Sequence, residues 1–179
     1  MGTLGIFGGC IISAWRSLRI IQEEVLSSAR RVSCVIEESL NSIVMILKID
    51  SNLLNSLTEQ AKSSPRLRMN HDLRNTGETQ SQRMLNAIEP GSPVPIHRHR
   101  NSMETVVCIR GRIRQLFYDD NGQIIETVEL TPGGEIAALN IPMGQWHTVE
   151  VLESGTVIME FKDGAYEPIQ ECDLMKLPE

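Results

Sequence analysis

Three of the four histidines in this sequence fall in two short segments that can supply metal ligands. His97 and His99 stand one residue apart in "PIHRHRN", and Glu104 follows shortly after them. Residues at i and i+2 of an extended strand point to the same face, so the two imidazoles project together. Glu104 would face the other way on a continuous strand, but a turn at "RNSM" resets the alternation and lets it join the histidines.

His147 is the fourth candidate ligand. It follows a Pro-x-Gly turn in "PMGQWHTVEV", at the start of another predicted strand. Neutral imidazoles together with one carboxylate suit a first-row transition metal. We therefore predict that one divalent ion (Fe, Mn, Ni or Zn) binds His97, His99, Glu104 and His147.

The composition narrows the class of ligand. The net charge is −6 and the sequence pI is about 5.3, whereas a protein that follows nucleic-acid phosphates normally carries a basic domain or stripe. Aromatic residues make up 4% of the chain, too few for a base-stacking surface. We expect a small-molecule ligand and no nucleic-acid partner.

The cysteines and the N-terminus predict a cytoplasmic protein without a membrane partner. Cys10, Cys34, Cys108 and Cys172 lie far apart and form no CxxC pair, which favours reduced thiols over a disulfide framework. The apolar run at residues 4–15 has no preceding basic residues and no small-residue cleavage site after it. It is also too short to span a membrane.

The chain divides into three predicted segments. Residues 1–44 form an N-terminal extension, interpreted either as an amphipathic helix or as an upstream addition to a protein that starts at Met45. Residues 45–83 contain a helix, capped by Asp50 or Ser51 and ended at Ser64–Pro65, and then an arginine-containing arm. Residues 84–179 alternate short β runs with turns, the pattern of a sandwich or barrel. Asn121-Gly122 predicts a hairpin, because both residue types accept positive φ.

The arm "PRLRMNHDLR" has two interpretations. It is either a solvated connector or an anion-recognition segment, since guanidinium groups pair with carboxylates and phosphates. If it folds over the mouth of a barrel, it would help to orient a substrate. The predicted substrate-binding residues are Arg66, Arg68, Arg98, Asn101 and Gln145.

The ligand segments resemble the two sequence motifs of the cupins. The first cupin motif is Gly, five residues, His-x-His, three or four residues, Glu, six residues and Gly, and residues 91–111 match it in full. The second motif ends in Pro-x-Gly-x-x-His and, after three more residues, Asn. Residues 142–147 match that ending, but Val151 stands in place of the Asn and the leading glycine is farther upstream than usual.

A narrower resemblance covers roughly residues 45–168. "SPRLRMNHDLR", followed by "QRMLNAIEPGSPVPIHRHR", is similar to the WbuC-type cupins, a small family often associated with surface-polysaccharide gene clusters. The resemblance implies a mainly β protein, a small jelly-roll barrel preceded by a helix and arm, with a metal on the four candidate ligands. It also implies a homodimer, because edge strands of small cupins often pair between subunits.

Three functions fit these expectations. The first is a metal-dependent protein that acts on or binds a small polar molecule, such as a sugar derivative of surface-polysaccharide metabolism. The second is an Fe(II)-dependent dioxygenase of a small organic substrate, and the third is a non-catalytic sensor whose metal helps to hold a ligand. An open coordination position permits the chemistry of the first two, whereas a closed tetrahedral zinc site would be structural. Cys108 is either a redox-sensitive neighbour of the site or a core residue.

Overall fold

The structure is a computed structural model that describes residues 22–30, 32, 46–74 and 80–177. The chain divides into two compact units, Met1–Leu47 and Lys48–Glu179. In the first unit residues 22–30 and 32 are helical and exposed. The other residues of the predicted extension, 1–44, lie outside the described residues. None of the described helices combines the length and hydropathy that a bilayer span requires.

The second unit contains two antiparallel sheets, and the prediction of a mainly β protein is confirmed. A five-stranded sheet has the order β1-β2-β8-β3-β6, and a three-stranded sheet has the order β5-β4-β7. The strands are β1 (Arg68–Asp72), β2 (Ser81–Ile88), β3 (Glu104–Arg110), β4 (Ile113–Tyr118), β5 (Ile124–Leu130), β6 (Ala138–Ile141), β7 (Trp146–Val151) and β8 (Thr156–Asp163).

The main hydrophobic core lies between the two sheets. Alternate residues of β3 point into it, so Val106 and Cys108 are buried against β4 residues such as Ile113 and Phe117. Cys108 is 3% exposed and therefore has the packing role rather than that of an accessible redox group. Ile158 enters the same core from β8.

A helix precedes the sheets, as the sequence predicts. Helix α1 spans Ser51–Ser63, and the Asp50 carboxylate caps it by accepting hydrogen bonds from the backbone N–H groups of Asn52 and Leu53. Its apolar stripe forms a second core with β2 and β8. The buried members of that core are Leu54, Leu57, Ala61, Leu85, Ala87 and Val157.

A β-bulge in strand β3 brings the side chain of Arg110 into contact with helix α1. The register of β3 against β8 shifts between Cys108 and Arg110, which turns Arg110 from the core side to the helix side. The Arg110 guanidinium donates to the Leu54 carbonyl at 2.9 Å and to the Asn55 side chain at 2.8 Å. This contact fixes α1 against the strand that begins with Glu104.

Two local predictions need correction. The β structure begins before residue 84, because β2 starts at Ser81 and part of the predicted arm forms the edge strand β1, paired with β2. The hairpin between β4 and β5 is confirmed, but in its turn only Gly122 has a positive φ. The Asp119 carboxylate accepts hydrogen bonds from the backbone of Asn121 and Gln123 and so stabilises a turn with a bulge instead.

Candidate metal centre

His97 and His99 lie on an extended segment that runs beside β7. Pro93 and Pro95 lack backbone N–H groups, which explains why the segment does not become a full sheet strand. His97 and His147 instead form an isolated antiparallel bridge, exchanging backbone hydrogen bonds of 3.0 and 2.9 Å. The predicted i, i+2 projection of the two histidines therefore arises from an extended loop.

Glu104 and His147 come from strands in opposite sheets. Residues 100–103 leave the extended path, and Glu104 then begins β3 with its side chain facing inward, 4% exposed. His147 lies on β7 and is 3% exposed. The turn at "RNSM" thus lets Glu104 join the histidines, as the spacing indicates.

The structure brings all four predicted ligands together. Their nearest ligand atoms lie within 4.8 Å of one another. The ring centroid of His97 lies 5.0 Å from that of His99 and 4.4 Å from that of His147. Three imidazoles and one carboxylate that converge in this way could hold one metal ion.

Backbone carbonyls determine which imidazole nitrogen of two histidines faces the cluster. The Nδ1 atom of His97 lies 3.0 Å from the Pro95 carbonyl, and that of His147 lies 2.9 Å from the Gln145 carbonyl. Because a carbonyl can only accept, each Nδ1 carries a proton and each Nε2 is the ring nitrogen that faces the cluster. This arrangement is typical of metal-ligating histidines.

Two buried polar atoms in the cluster have no hydrogen-bond partner among the described residues. Nε2 of His99 and Oε2 of Glu104 lie 3.0 Å apart, in a geometry that gives neither a hydrogen-bond partner among the described residues. The other Glu104 oxygen, Oε1, accepts from Lys162 at 3.4 Å. One lone pair on each residue is therefore available for an ion, and the donor set fits a transition metal.

The charge states of the cluster also suit a cation. Burial alone would raise the pKa of Glu104, but the adjacent His147, His99 and Lys162 outweigh it and hold that pKa well below its usual range. Burial, reinforced by His147, lowers the pKa of His97 to about 4. At neutral pH Glu104 is therefore a carboxylate and His97 a neutral imidazole, the forms that bind metals.

Sequence reasoning missed two ionisable residues beside the cluster. Glu160 and Lys162 follow the core residue Ile158 at two-residue spacing along β8 and so share its face of the strand. Lys162 Nζ lies 3.7 Å from Glu160 Oε2. Burial, with the nearby charge of Glu104, raises the pKa of Glu160 to about 7. The alternation in "TVIMEFKD" could have placed both residues on the inward face, but not beside Glu104, because that proximity depends on the pairing of β3 with β8.

A cavity of about 510 Å³ opens beside the cluster and is lined in part by His99. Two predicted substrate-binding residues, Arg98 and Asn101, also line it. Arg98 is already engaged, since its guanidinium pairs with Asp173 at 3.1 Å and lies 4.1 Å from the centre of the Trp146 ring.

The other predicted substrate-binding residues lie elsewhere. Arg68 donates to the Pro93 carbonyl at 2.9 Å, and Arg66 is exposed and accepts a hydrogen bond from Ser92 through its carbonyl. Gln145 lines a separate cavity of about 370 Å³ and donates to the Tyr118 carbonyl at 2.8 Å. The described residues that line the His99 cavity include none of these three side chains.

One protein-family model matches the sequence. It is described as "Domain of unknown function (DUF6016)" and matches residues 49–130, from helix α1 to strand β5. The matched region contains His97, His99 and Glu104 but not His147. No curated protein matches the sequence.

Solved structures with a similar fold include three proteins of low sequence identity. CapF, the capsular polysaccharide assembling protein from Staphylococcus aureus, aligns with a TM-score of 0.50 and 20% identity over 64% of this chain and 32% of its own. The chain has a cupin fold. KdgF from Halomonas sp. aligns with a TM-score of 0.46 and 15% identity over 57% of this chain and 84% of its own. Oxalate decarboxylase from Bacillus subtilis aligns with a TM-score of 0.45 and 19% identity over 62% and 27%.

The cupin fold accounts for the way the candidate centre is assembled. The two sheets supply Glu104 and His147 from opposite sides, and the loop between β2 and β3 supplies His97 and His99. This chain spans about one third of the length of CapF and just over one quarter of that of oxalate decarboxylase.

Proposed function

We propose that this protein is a metal-dependent cupin that binds and acts on a small, hydroxyl-rich molecule in the cavity beside His99. The observation that carries the proposal is the pair of buried atoms without hydrogen bonds, His99 Nε2 and Glu104 Oε2, within a cluster of four ligand atoms. Because His99 also lines the 510 Å³ cavity, a molecule in that cavity would lie next to the ion.

The chemistry of the cavity wall supports an uncharged, hydroxyl-rich ligand. Its side chains include several amides and a hydroxyl, which both donate and accept hydrogen bonds. The two arginines in the wall are paired with Asp173, and the acidic residues Asp163 and Glu167 also line it, so a polyanion would be disfavoured. The amide and hydroxyl residues are Gln80, Gln82, Asn101, Ser102 and Gln170.

A sugar derivative is the form of this ligand that the sequence favours. The similarity of the arm and the first motif to WbuC-type cupins supports a role in surface-polysaccharide metabolism. The size of the cavity is in the range of small-molecule sites, about 300–1,000 Å³.

The residues around the cluster have definable roles in such a reaction. A divalent ion would polarise a ligand oxygen or activate water at an open coordination position. Lys162 holds Oε1 of Glu104 and leaves Oε2 for the ion. The carbonyls of Pro95 and Gln145 lie at Nδ1 of His97 and His147 and so direct the Nε2 atoms of both rings inward.

Ligand binding to the metal-loaded protein tests the proposal. We would titrate a panel of neutral monosaccharides by calorimetry, with a sugar nucleotide as the polyanionic control, and expect at least one neutral sugar to bind only when metal is present. Asn101→Ala should weaken that binding about tenfold, whereas Gln145→Ala, in the separate cavity, should leave it unchanged. Metal-independent binding, or no binding by the whole panel, would contradict the proposal.

We also propose that the protein is cytoplasmic and forms a homodimer. β5 is an edge strand with exposed Ile124 and Ile125, which supports pairing with a second subunit. Sedimentation velocity would give the mass, and replacing Ile125 with Lys should shift a dimer to monomer. A monomeric wild-type protein would overturn the homodimer.

A further inference from the structure

The C-terminal segment, residues 170–175, packs along the outer side of the His97–His99 segment. Leu174 forms an isolated bridge with His97, on the side opposite to the bridge with His147. The backbone N–H of Arg98 donates to the Asp173 carbonyl at 3.2 Å, and that of Met175 donates to the Ile96 carbonyl at 2.9 Å. The two histidines thus lie between β7 and the C-terminal segment.

One carboxylate in this segment binds both arginines that flank His99. Arg98 Nε lies 3.1 Å from Asp173 Oδ1, and Arg100 Nε donates to the same oxygen at closer range. Arg100 also donates to the Cys172 carbonyl at 3.1 Å. The side chains of Asp173 and Arg98 are 13% and 21% exposed, so this ion pair is more shielded than an ordinary surface pair, whereas Arg100 is 49% exposed.

The alternation of side chains connects these contacts to the metal ligands. Arg98 lies between His97 and His99 on the extended segment, so it faces outward when they face inward, and Arg100 begins the bend that follows. Fixing the outer side chains therefore fixes the orientation of the two imidazoles. Arg98 also contacts the neighbour of His147 in the chain, because its guanidinium stacks on Trp146, the preceding residue in β7.

We infer that Asp173 is a positioning residue for the metal centre, acting through Arg98 and Arg100 on His97 and His99. The inference rests on the proposed metal site. Without the Asp173 carboxylate the two arginines lose their shared acceptor, and backbone hydrogen bonds to β7 and to the C-terminal segment are left to hold the His97–His99 segment. Mutation of residues that orient metal ligands without binding the metal themselves typically changes metal affinity 10- to 100-fold.

The affinity for Co²⁺ tests this role. We would measure its dissociation constant by chelator competition, and its d–d absorption spectrum, for wild type, Asp173→Asn and Glu171→Gln. Glu171 is the matched control, since it lies in the same short 3-10 helix and pairs with the exposed Lys176. Asp173→Asn should raise the dissociation constant about tenfold and alter the spectrum, while Glu171→Gln should change neither.

Other outcomes are also decisive. An unchanged dissociation constant and spectrum in a folded Asp173→Asn variant would overturn the inference and leave the metal site intact. An equal loss in Glu171→Gln would overturn it too, since the effect would then belong to the whole segment. Failure of wild type to bind Co²⁺ would overturn the proposed metal site itself. Should Asp173→Asn not fold, Arg100→Gln removes one of the two donors and is judged in the same way.

Discussion

Nε2 of His99 lies 3.0 Å from Oε2 of Glu104, and neither of these buried atoms has a hydrogen-bond partner among the described residues. Leaving a buried polar atom unsatisfied costs about 1–3 kcal/mol. A metal ion that binds both atoms removes this cost in the folded state alone. The free energy of unfolding should therefore respond strongly to metal.

Adding a transition metal should raise the melting temperature of the metal-free protein. At a free metal concentration of 100 times the dissociation constant, the gain is about 2.7 kcal/mol. His147→Ala removes a ligand from the cluster and should abolish the rise. His71→Ala, on the edge strand β1 and outside the cluster, should retain it. Equal shifts in both variants, measured by scanning calorimetry, would place the metal elsewhere.

The stability of the metal-free protein should depend on pH through His97. Its pKa is about 4 in the folded state and about 6.5 when exposed. As the pH falls from 6.5 toward 4, the unfolded chain takes up a proton at His97 that the folded protein does not, so the contribution of His97 to stability is lost over that window. Glu160, whose pKa is raised to about 7, contributes in the opposite direction, so the effect of His97 is isolated by comparison with a variant. Glu104, with its lowered pKa, responds only below about pH 4.5.

Urea unfolding at pH 7 and pH 5 measures this effect. Between these values His97→Asn should lose about 2 kcal/mol less stability than wild type. The same loss in wild type and variant would show that His97 does not remain neutral in the folded protein.

Gly111, the last residue of the first cupin motif, should not tolerate a side chain. Its φ is +80°, and a Cβ atom there would lie 2.8 Å from the Thr156 backbone. Gly111→Ala combines left-handed strain with this clash and should cost roughly 3 kcal/mol or more. Gly133→Ala has a similar φ of +69° in open space and should cost only about 1–2 kcal/mol. Equal losses in urea unfolding would show that the contact with Thr156 is unimportant.

The convergence of three candidate ligands, His97, His99 and Glu104, could be predicted from the sequence because it depends on local geometry, whereas His147 reaches them only through the packing of the two sheets. His97 and His99 share a face through the two-residue period of an extended chain, and the turn before Glu104 is visible in "RNSM". The helix was equally predictable, from the Asp50 cap and the apolar stripe that follows it. Both inferences need only residues that are close in the sequence.

The surroundings of the centre could not be predicted, because they depend on long-range pairing. Asp173 meets Arg98 only when the C-terminal segment returns to the barrel, and Lys162 meets Glu104 only through the β3–β8 register. The charge of Arg68 suits a substrate-binding arm, but its place at the start of the edge strand β1 depends on pairing with β2. Nothing local distinguishes an arginine that binds a ligand from one paired within the protein.

Cys108 and Cys172 should differ sharply in alkylation. Burial raises the pKa of the Cys108 thiol to about 11, so at pH 8 it is protonated and enclosed in the core. Cys172 is exposed. Iodoacetamide treatment followed by peptide mass spectrometry should label Cys172 within minutes and Cys108 only after unfolding. Rapid labelling of Cys108 in the native protein would contradict its core position.

Metal content is the most direct test of the central claim. Elemental analysis of wild type should find about one transition-metal ion per chain, held by His97, His99, Glu104 and His147. The His97→Ala, His99→Ala double variant loses two of these ligands and should retain almost none while remaining folded. Full occupancy in that variant would contradict the account.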